Sequence, residues 1–337
     1  MSDAKPTVLC LVNGVLREQL FHPTTVARIE AVASIRWLSE DASSRNPDTW
    51  RVERNDVSIV LGTWGMPNFD NILLDTLPGL RLIAHGAGTV KGFVTPEVFA
   101  RHIRVTHGAV VIAAAVGEWC LMATLTGLRL AMSFHESMRA GAWKSSHEGH
   151  GNELAGKRVG LIGMSQTARA FLRLLPPFGC EIGVYDPYLS DEAASSLGVR
   201  KVAAIDDLCA WADVLSNHVP TTPETDRLVG APQLARLRSG ALLVNSARAG
   251  AIDQDALLTE LRSGRIRAAL DVYPREPLAP DDPFRTLPNV FLTPHIAGAS
   301  WEARSRMGEV MADEITRFVR GEPLRHEILA ERLGTMA

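Results

Sequence analysis

The stretch VGLIGMSQTARAFLRLL, residues 159–175, reads as a short buried strand, a glycine turn and a helix. In a nucleotide-binding βαβ unit a G-x-G-x-x-G turn at this point lets a pyrophosphate approach the N-terminus of the helix. Here the turn runs Gly163-Met164-Ser165-Gln166-Thr167-Ala168, so two of the three glycines are replaced. Alanine at the third position adds one methyl where helix packs on strand. Serine at the second puts a side chain near the phosphates, with a hydroxyl able to donate to a phosphate oxygen. Taken alone, the turn is compatible with a working nucleotide site, a lost one, or none.

Downstream, the next apolar run, residues 181–185, ends at Asp186. That places a carboxylate near the ~20-residue spacing of the acid that bonds the adenosine ribose. A 2′-phosphate there would be repelled, and residues 187–199 contain no Arg or Lys, so the pattern favours NAD over NADP. The alternative is a strand-end turn before Pro187. Further runs at 214–218, 241–245, 267–272 and 290–293 alternate with helical patterns at 167–178, 191–197 and 253–262. Six strands with helical crossovers from residue 158 onward match a doubly wound parallel sheet.

Upstream, runs at 7–12, 57–61, 81–84 and 103–106 alternate with helical patterns at 24–33 and 96–101, giving a second α/β series. A long helix is expected over 115–138 and a closing helix over 300–320, stopped by Gly321 and Pro323. Residues 139–156 are polar and glycine-containing and read as a connecting loop. The sequence His147-Glu148-Gly149-His150 lies in it and lacks helical metal-ligand spacing, so a solvated loop is expected and no metal site.

Bulk properties narrow the classes. The chain has 337 residues, 46% hydrophobic and 22% charged, with a formal charge of −3. No basic footprint for nucleic acid or anionic membrane is present. Four scattered cysteines without a C-x-x-C pair argue against a disulfide framework or zinc. The apolar run at 8–12 suits a buried strand rather than a secretory segment, and the run at 109–116 falls short of the ~18 residues that span a bilayer. A cytoplasmic location is expected.

The stretches LLVNSARAGAIDQDALLTELRSGRIRAALDVYPREPL (242–278) and LPNVFLTPHIAGAS (287–300), with HVPTTPETDRLVG (218–230) and RAGAWK (139–144), are dense in ordered motifs. They resemble the D-isomer-specific 2-hydroxyacid dehydrogenase family, strongly over 139–300 and in outline over 1–138. The resemblance implies two Rossmann-like domains, a flavodoxin-like substrate domain (1–110 with 300–337) and a doubly wound NAD-binding domain (111–299), with the active site in the cleft. It implies an oxidoreductase that interconverts a 2-oxo acid and its D-2-hydroxy acid with NAD, and a homodimer.

The resemblance assigns the catalytic set to Arg248, Glu276 and His295. Each residue type suits its task. A guanidinium fork binds a carboxylate and the adjacent ketone. An imidazole delivers the proton that a developing alkoxide needs, and a carboxylate on its other nitrogen fixes the tautomer. Asp271 matches the residue that binds the nicotinamide carboxamide, with Ser246 and Ala247 helping. Gly163, Ser165, Gln166, Thr167, Asp186 and Pro220 complete the cofactor set; Gln166-Thr167 stand where the family has a phosphate-contacting Arg-Ile pair. Loss of that arginine predicts weaker NAD affinity.

For substrate, the family's R-A-G-V-G-V-D-N loop reads here Ala84-His85-Gly86-Ala87-Gly88-Thr89-Val90-Lys91-Gly92. Ala87 and Gly88 (with Thr89) offer backbone N–H donors to the substrate carboxylate as an anion nest. Lys91 either meets an extra anionic group or is a surface lysine, and Trp64 either lines the pocket or packs elsewhere. No arginine cluster in the first domain announces a phosphorylated substrate. An alternative is a low-turnover NAD(H)-sensing binding protein of the corepressor kind on the same scaffold. Formate dehydrogenase is disfavoured because that family has glutamine where Glu276 stands.

Overall fold

A computed structural model of the chain describes residues 5–12, 14–50, 52–143 and 150–335. His147, Glu148 and Gly149 of the loop motif lie outside the described residues. The chain divides into two compact units, Met1–Ile112 with Ala299–Met336, and Ala113–Gly298.

The first unit is built on β1 (Thr7–Cys10), β2 (Ser34–Trp37), β3 (Val57–Gly62), β4 (Leu82–His85) and β5 (Arg104–His107). The order is β2-β1-β3-β4-β5 and every pairing is parallel, the flavodoxin-like order. Alternate side chains leave on opposite faces. Leu9, Val60, Ile83 and Val105 enter one core with Phe69 and Leu77. Val8, Cys10, Ile59, Leu61, Leu82 and Ala84 enter the other. The closing helix Trp301–Val319 turns Met307, Met311 and Ile315 into this second core. Its Ser300 caps the N-terminus by accepting from the Ala303 N–H.

The second unit holds β6 (Arg158–Ile162), β7 (Glu181–Tyr185), β8 (Arg200–Lys201), β9 (Val214–Asn217), β10 (Leu242–Asn245), β11 (Arg267–Leu270) and β12 (Val290–Leu292). Its order, β12-β11-β10-β9-β6-β7-β8, is all parallel. The chain reverses direction across the sheet between β6 and β9, which sets the topological switch point at the carboxyl end of β6.

Four sequence expectations change. The single helix expected over 115–138 is two, Ala109–Leu128 and Ala131–Arg139, separated where Leu130 adopts φ 55. Continuous Leu, Met and Ala composition carries no signal for that break. The helix expected over 167–178 stops at Leu172, and Pro176–Phe178 forms a 3₁₀ turn, as two successive prolines require. β2 and β8 were not anticipated. Both are partly or fully exposed edge strands, without the continuous apolar run that marks a buried one. Finally, Ala109–Leu128 is long and apolar enough by length and composition to cross a membrane, beyond the run read at 109–116, and 44% of its most apolar window is buried inside the fold.

Candidate active site

In the second unit every candidate group lies at or just past the carboxyl end of a strand. Gly163 leaves β6 with φ +84, and a Cβ there would sit 2.6 Å from Val219 Cγ1. Conformation and space both demand glycine at this position. Ser165 has φ −67 and ψ 177, ordinary extended backbone, so the second fingerprint position has no such demand. Its hydroxyl, which the sequence offers as a donor to a phosphate oxygen, is also engaged within the turn. It caps the helix Gln166–Leu172 by accepting from Ala168 N at 3.4 Å and pairs with Thr167 Oγ1 at 3.0 Å. The helix Gln166–Leu172 is also packed closely against the helix Ala109–Leu128. A Cβ on Gly117 would meet the Ala170–Phe171 backbone at 2.8 Å.

Thr167 Oγ1 also lies 3.3 Å from His218 Nδ1, and His218 Nε2 lies 2.9 Å from Ser216 Oγ. Burial pushes the His218 pKa down to about 3, so the ring is neutral at ordinary pH. Asp186, at the end of β7, accepts from Met164 N at 2.7 Å through one oxygen and from Tyr188 N at 2.8 Å through the other. It therefore both terminates its strand and fastens the glycine turn. Each carboxylate oxygen keeps a second lone pair for a further donor.

Beyond β9 and β10 two buried asparagines clasp the next loop. Asn217 Nδ2 donates to Asn245 Oδ1 (3.0 Å) and to the Arg248 carbonyl (3.3 Å), and Asn245 Nδ2 donates to the same carbonyl (3.1 Å). Asn245 Oδ1 accepts from Ala247 N at 3.2 Å. The Ser246-Ala247-Arg248 backbone is thereby fixed. Ser246 Oγ lies 3.2 Å from the buried Cys120 Sγ, and Arg248 Nη1 donates to the Ala247 carbonyl at 2.6 Å. Burial lowers the Arg248 pKa, opposed by the Glu276 charge, and the guanidinium remains a cation. Pro220 is half-buried, its carbonyl taken by Thr225 Oγ1.

His295 donates its Nδ1–H to Glu276 Oε2 at 2.6 Å, and Glu276 Oε1 accepts from Tyr273 N at 3.0 Å. The His295 side chain is 51% exposed and that of Glu276 35%. His295 has φ 55, a left-handed conformation that costs a non-glycine residue roughly 1–2 kcal/mol. Asp271 holds that geometry. Fully buried, it accepts from Thr293 Oγ1, from Ile296 N at 2.8 Å and from Ala297 N at 2.8 Å. Burial raises its pKa, and those three donors pull the other way. Tyr273 Oη adds a bond to the Thr293 carbonyl at 2.9 Å. Beyond the cofactor contact that the resemblance assigns to Asp271, its oxygens carry the loop that presents His295.

In the first unit, Ala87 is wholly buried while Gly88 and Thr89 are half-buried past the end of β4. No acceptor for the Gly88 or Thr89 N–H is found among the described residues. Lys91 is exposed, and Trp64 is 51% exposed beside buried Thr63.

Among the described residues no group of three or more His, Cys, Asp or Glu is placed to hold a metal ion. A dinucleotide, by contrast, fits. The N–H groups of Gln166 and Thr167, at the carboxyl end of β6, have no acceptor among the described residues. With the Asp186 carboxylate bonded to Met164 N at the same turn, these donors make up the donor and acceptor set that phosphate and ribose require.

Fold and site together define a nicotinamide-dinucleotide oxidoreductase. The model of the D-isomer specific 2-hydroxyacid dehydrogenase NAD-binding domain matches residues 121–297. Glyoxylate reductase of Korarchaeum cryptofilum is 33% identical over 290 residues, 85% of this chain and 86% of that protein. D-3-phosphoglycerate dehydrogenase of Methanocaldococcus jannaschii is 39% identical over 222 residues, 64% of this chain but 42% of that protein. The chain spans about half the length of the D-3-phosphoglycerate dehydrogenases that it matches. A solved structure from Thermus thermophilus superposes with TM-score 0.79 at 27% identity, covering 96% of this chain and all of that one. The chain belongs to the D-isomer specific 2-hydroxyacid dehydrogenase family, and its cofactor is NAD(P).

Asn217, Asn245 and His218 were not singled out by sequence. Their one signal is a polar residue ending or following an otherwise apolar strand, which becomes meaningful once neighbouring strand ends are known.

Proposed function

We propose that this protein reduces a small, unphosphorylated 2-oxo acid to the D-2-hydroxy acid using NADH. The observation that carries the reading is the His295–Glu276 pair. One ring nitrogen is committed to a carboxylate that is itself held by the Tyr273 N–H, so the second nitrogen, on a half-exposed ring, is the one that exchanges a proton. When bound, the nicotinamide supplies the hydride. His295 delivers the proton to the oxygen of the former ketone, and Arg248, its loop fixed by Asn217 and Asn245, binds and polarises the oxo acid. The Gly88 and Thr89 N–H groups take the substrate carboxylate. Gln166 and Thr167 offer N–H donors to the pyrophosphate, with Gly163 giving the turn. Asp186 takes the ribose hydroxyls and disfavours a 2′-phosphate, which supports NAD over NADP.

The small acid is supported by the glyoxylate reductase relative, 86% of which the chain covers. A homodimer through the second unit is supported by the exposed Met122, Met132 and Met138 on the helices Ala109–Leu128 and Ala131–Arg139, and light scattering of the purified chain checks it. The activity test is NADH oxidation against glyoxylate, hydroxypyruvate, pyruvate and larger 2-oxo acids. Turnover of a small acid, with NADH preferred over NADPH, is the expected result. Tight NADH binding without turnover of any acid would replace this reading with an NAD(H)-sensing protein. Asp186→Ala relaxes the cofactor preference; equal use of both cofactors by the wild type would refute the ribose assignment.

A further inference from the structure

The loop after β4 is held by its carbonyls. Gly108 N donates to the Ala87 carbonyl at 2.9 Å, and His107 Nδ1 donates to the Gly88 carbonyl at 3.2 Å. Both donors belong to consecutive residues at the end of β5, so both carbonyls point the same way. The peptide bonds 87–88 and 88–89 are trans. In a trans peptide the N–H lies opposite the C=O, so the N–H groups of Gly88 and Thr89 are both turned away from β5. Neither N–H has an acceptor among the described residues. A Cβ built on Gly88 would meet nothing within 4 Å, so the space around that position is open.

The donor beneath is itself firmly placed. His107 is in register with His85 of β4. The His107 N–H is bonded to the His326 carbonyl at 3.2 Å. The His326 N–H in turn donates to the buried Glu314 at 3.1 Å. His85 is 2% exposed and packs on Phe93 with ring centroids 4.8 Å apart, closing the side of the strand ends on which Val90 and Phe93 enter the core.

We propose that His107 is a positioning residue for substrate recognition: by holding the Gly88 carbonyl towards β5 it aims the Thr89 N–H outward, completing with Gly88 N–H a pair of donors for the carboxylate of a 2-oxo acid. The inference rests on the reading above, in which this loop takes that carboxylate. It assigns to a side chain outside the loop the task of orienting donors inside it. The loop's own side chains then matter little, which accounts for tolerance of Lys91-Gly92 where the family has Asp-Asn.

The test compares wild type with His107→Phe and His107→Leu, which remove the donor, and His107→Asn, whose amide restores one at a similar place. Steady-state kinetics with the best 2-oxo acid, the NADH dissociation constant and the thermal midpoint are measured for each. The Phe and Leu variants are expected to raise KM for the acid about ten-fold, with kcat changed less than about three-fold and NADH binding unchanged. Asn recovers most of the KM. Should Phe and Leu fail to fold, Asn against His107→Ala gives the same contrast. A lower thermal midpoint with unchanged KM, or an Asn variant no better than Leu, overturns the inference while leaving the oxo-acid reading in place. Absence of turnover by the wild type overturns both.

Discussion

Each unit sets a loop at the carboxyl edge of a parallel sheet with a histidine beneath it, but the two loops are held by different chemistry. In the second unit His218 acts on side chains, reaching Thr167 and through it the capping Ser165. In the first unit His107 acts on a backbone carbonyl, that of Gly88. The hydroxyl-held turn depends on which residues occupy 165 and 167. The peptide-held loop depends on what lies under it. Degenerate motifs in the two units therefore mean different things. Ser165 and Thr167 are tied into the turn by their hydroxyls, whereas the altered letters at 91–92 lie outside the Gly88 and Thr89 peptides.

The comparison can be broken at several levels. The largest effect falls on chemistry confined to the second unit: His295→Ala lowers kcat by ~10²–10⁴-fold while the NADH dissociation constant stays within about three-fold. Steady-state rates paired with fluorescence titration check this, and a parallel loss of NADH binding would remove His295 from the proton step.

Next comes stability. Gly163→Ala meets both a positive φ and a contact at 2.6 Å, and is expected to cost about 2–4 kcal/mol in urea unfolding. Gly88→Ala meets neither and is expected to cost less than about 1 kcal/mol. Equal costs would mean that the two loops are built alike after all.

Acid sensitivity is shared by the units. His85 and His218 are each pushed down to about 3 by burial, His85 with help from the His107 charge. The unfolded chain protonates these rings near pH 6.5 and the folded one does not. Their contribution is thus complete above pH 6.5 and lost as pH falls towards 3, at up to about 1.4 kcal/mol per pH unit for each ring. Denaturant unfolding at pH 7, 5.5 and 4.5 reads this slope, and His218→Phe reduces it. A slope unaltered by that substitution would contradict a neutral buried His218.

The smallest effect sharpens the comparison most. Thr167→Val removes the hydroxyl between Ser165 and His218 and is expected to raise the NADH dissociation constant about three- to ten-fold, the worth of roughly one hydrogen bond. KM for the acid should not move. A change in KM without one in NADH binding would reverse the division of labour between the two loops.

How much was legible beforehand differs between the units for a physical reason. The second unit announces itself because its candidate groups follow buried strands whose apolar runs are unmistakable: Gly163 after β6, Asp186 after β7, Arg248 after β10, His295 after β12. In the first unit the edge strand β2, Ser-Ile-Arg-Trp, is half-exposed and carries no such run. Its loop at residues 84–92 departs from the family pattern, and the support at His107 lies 19 residues from Gly88. The helix break at Leu130 was equally silent, since nothing in Leu-Arg-Leu requires a left-handed residue.

By itself, the sequence determined the two α/β series and the position of each glycine turn, because strand periodicity and turn chemistry are local properties; Arg248, Glu276 and His295 were singled out by the family resemblance of the motifs that hold them. Only the tertiary structure decided what holds those groups. Asn217 meets Asn245 across 28 residues, Asp271 meets Ala297 across 26, and Thr167 meets His218 across 51. Parallel strands bring their ends together only after a crossover, so partners at neighbouring strand ends are always distant in the chain, and no local pattern records which polar residue will lie beneath which loop.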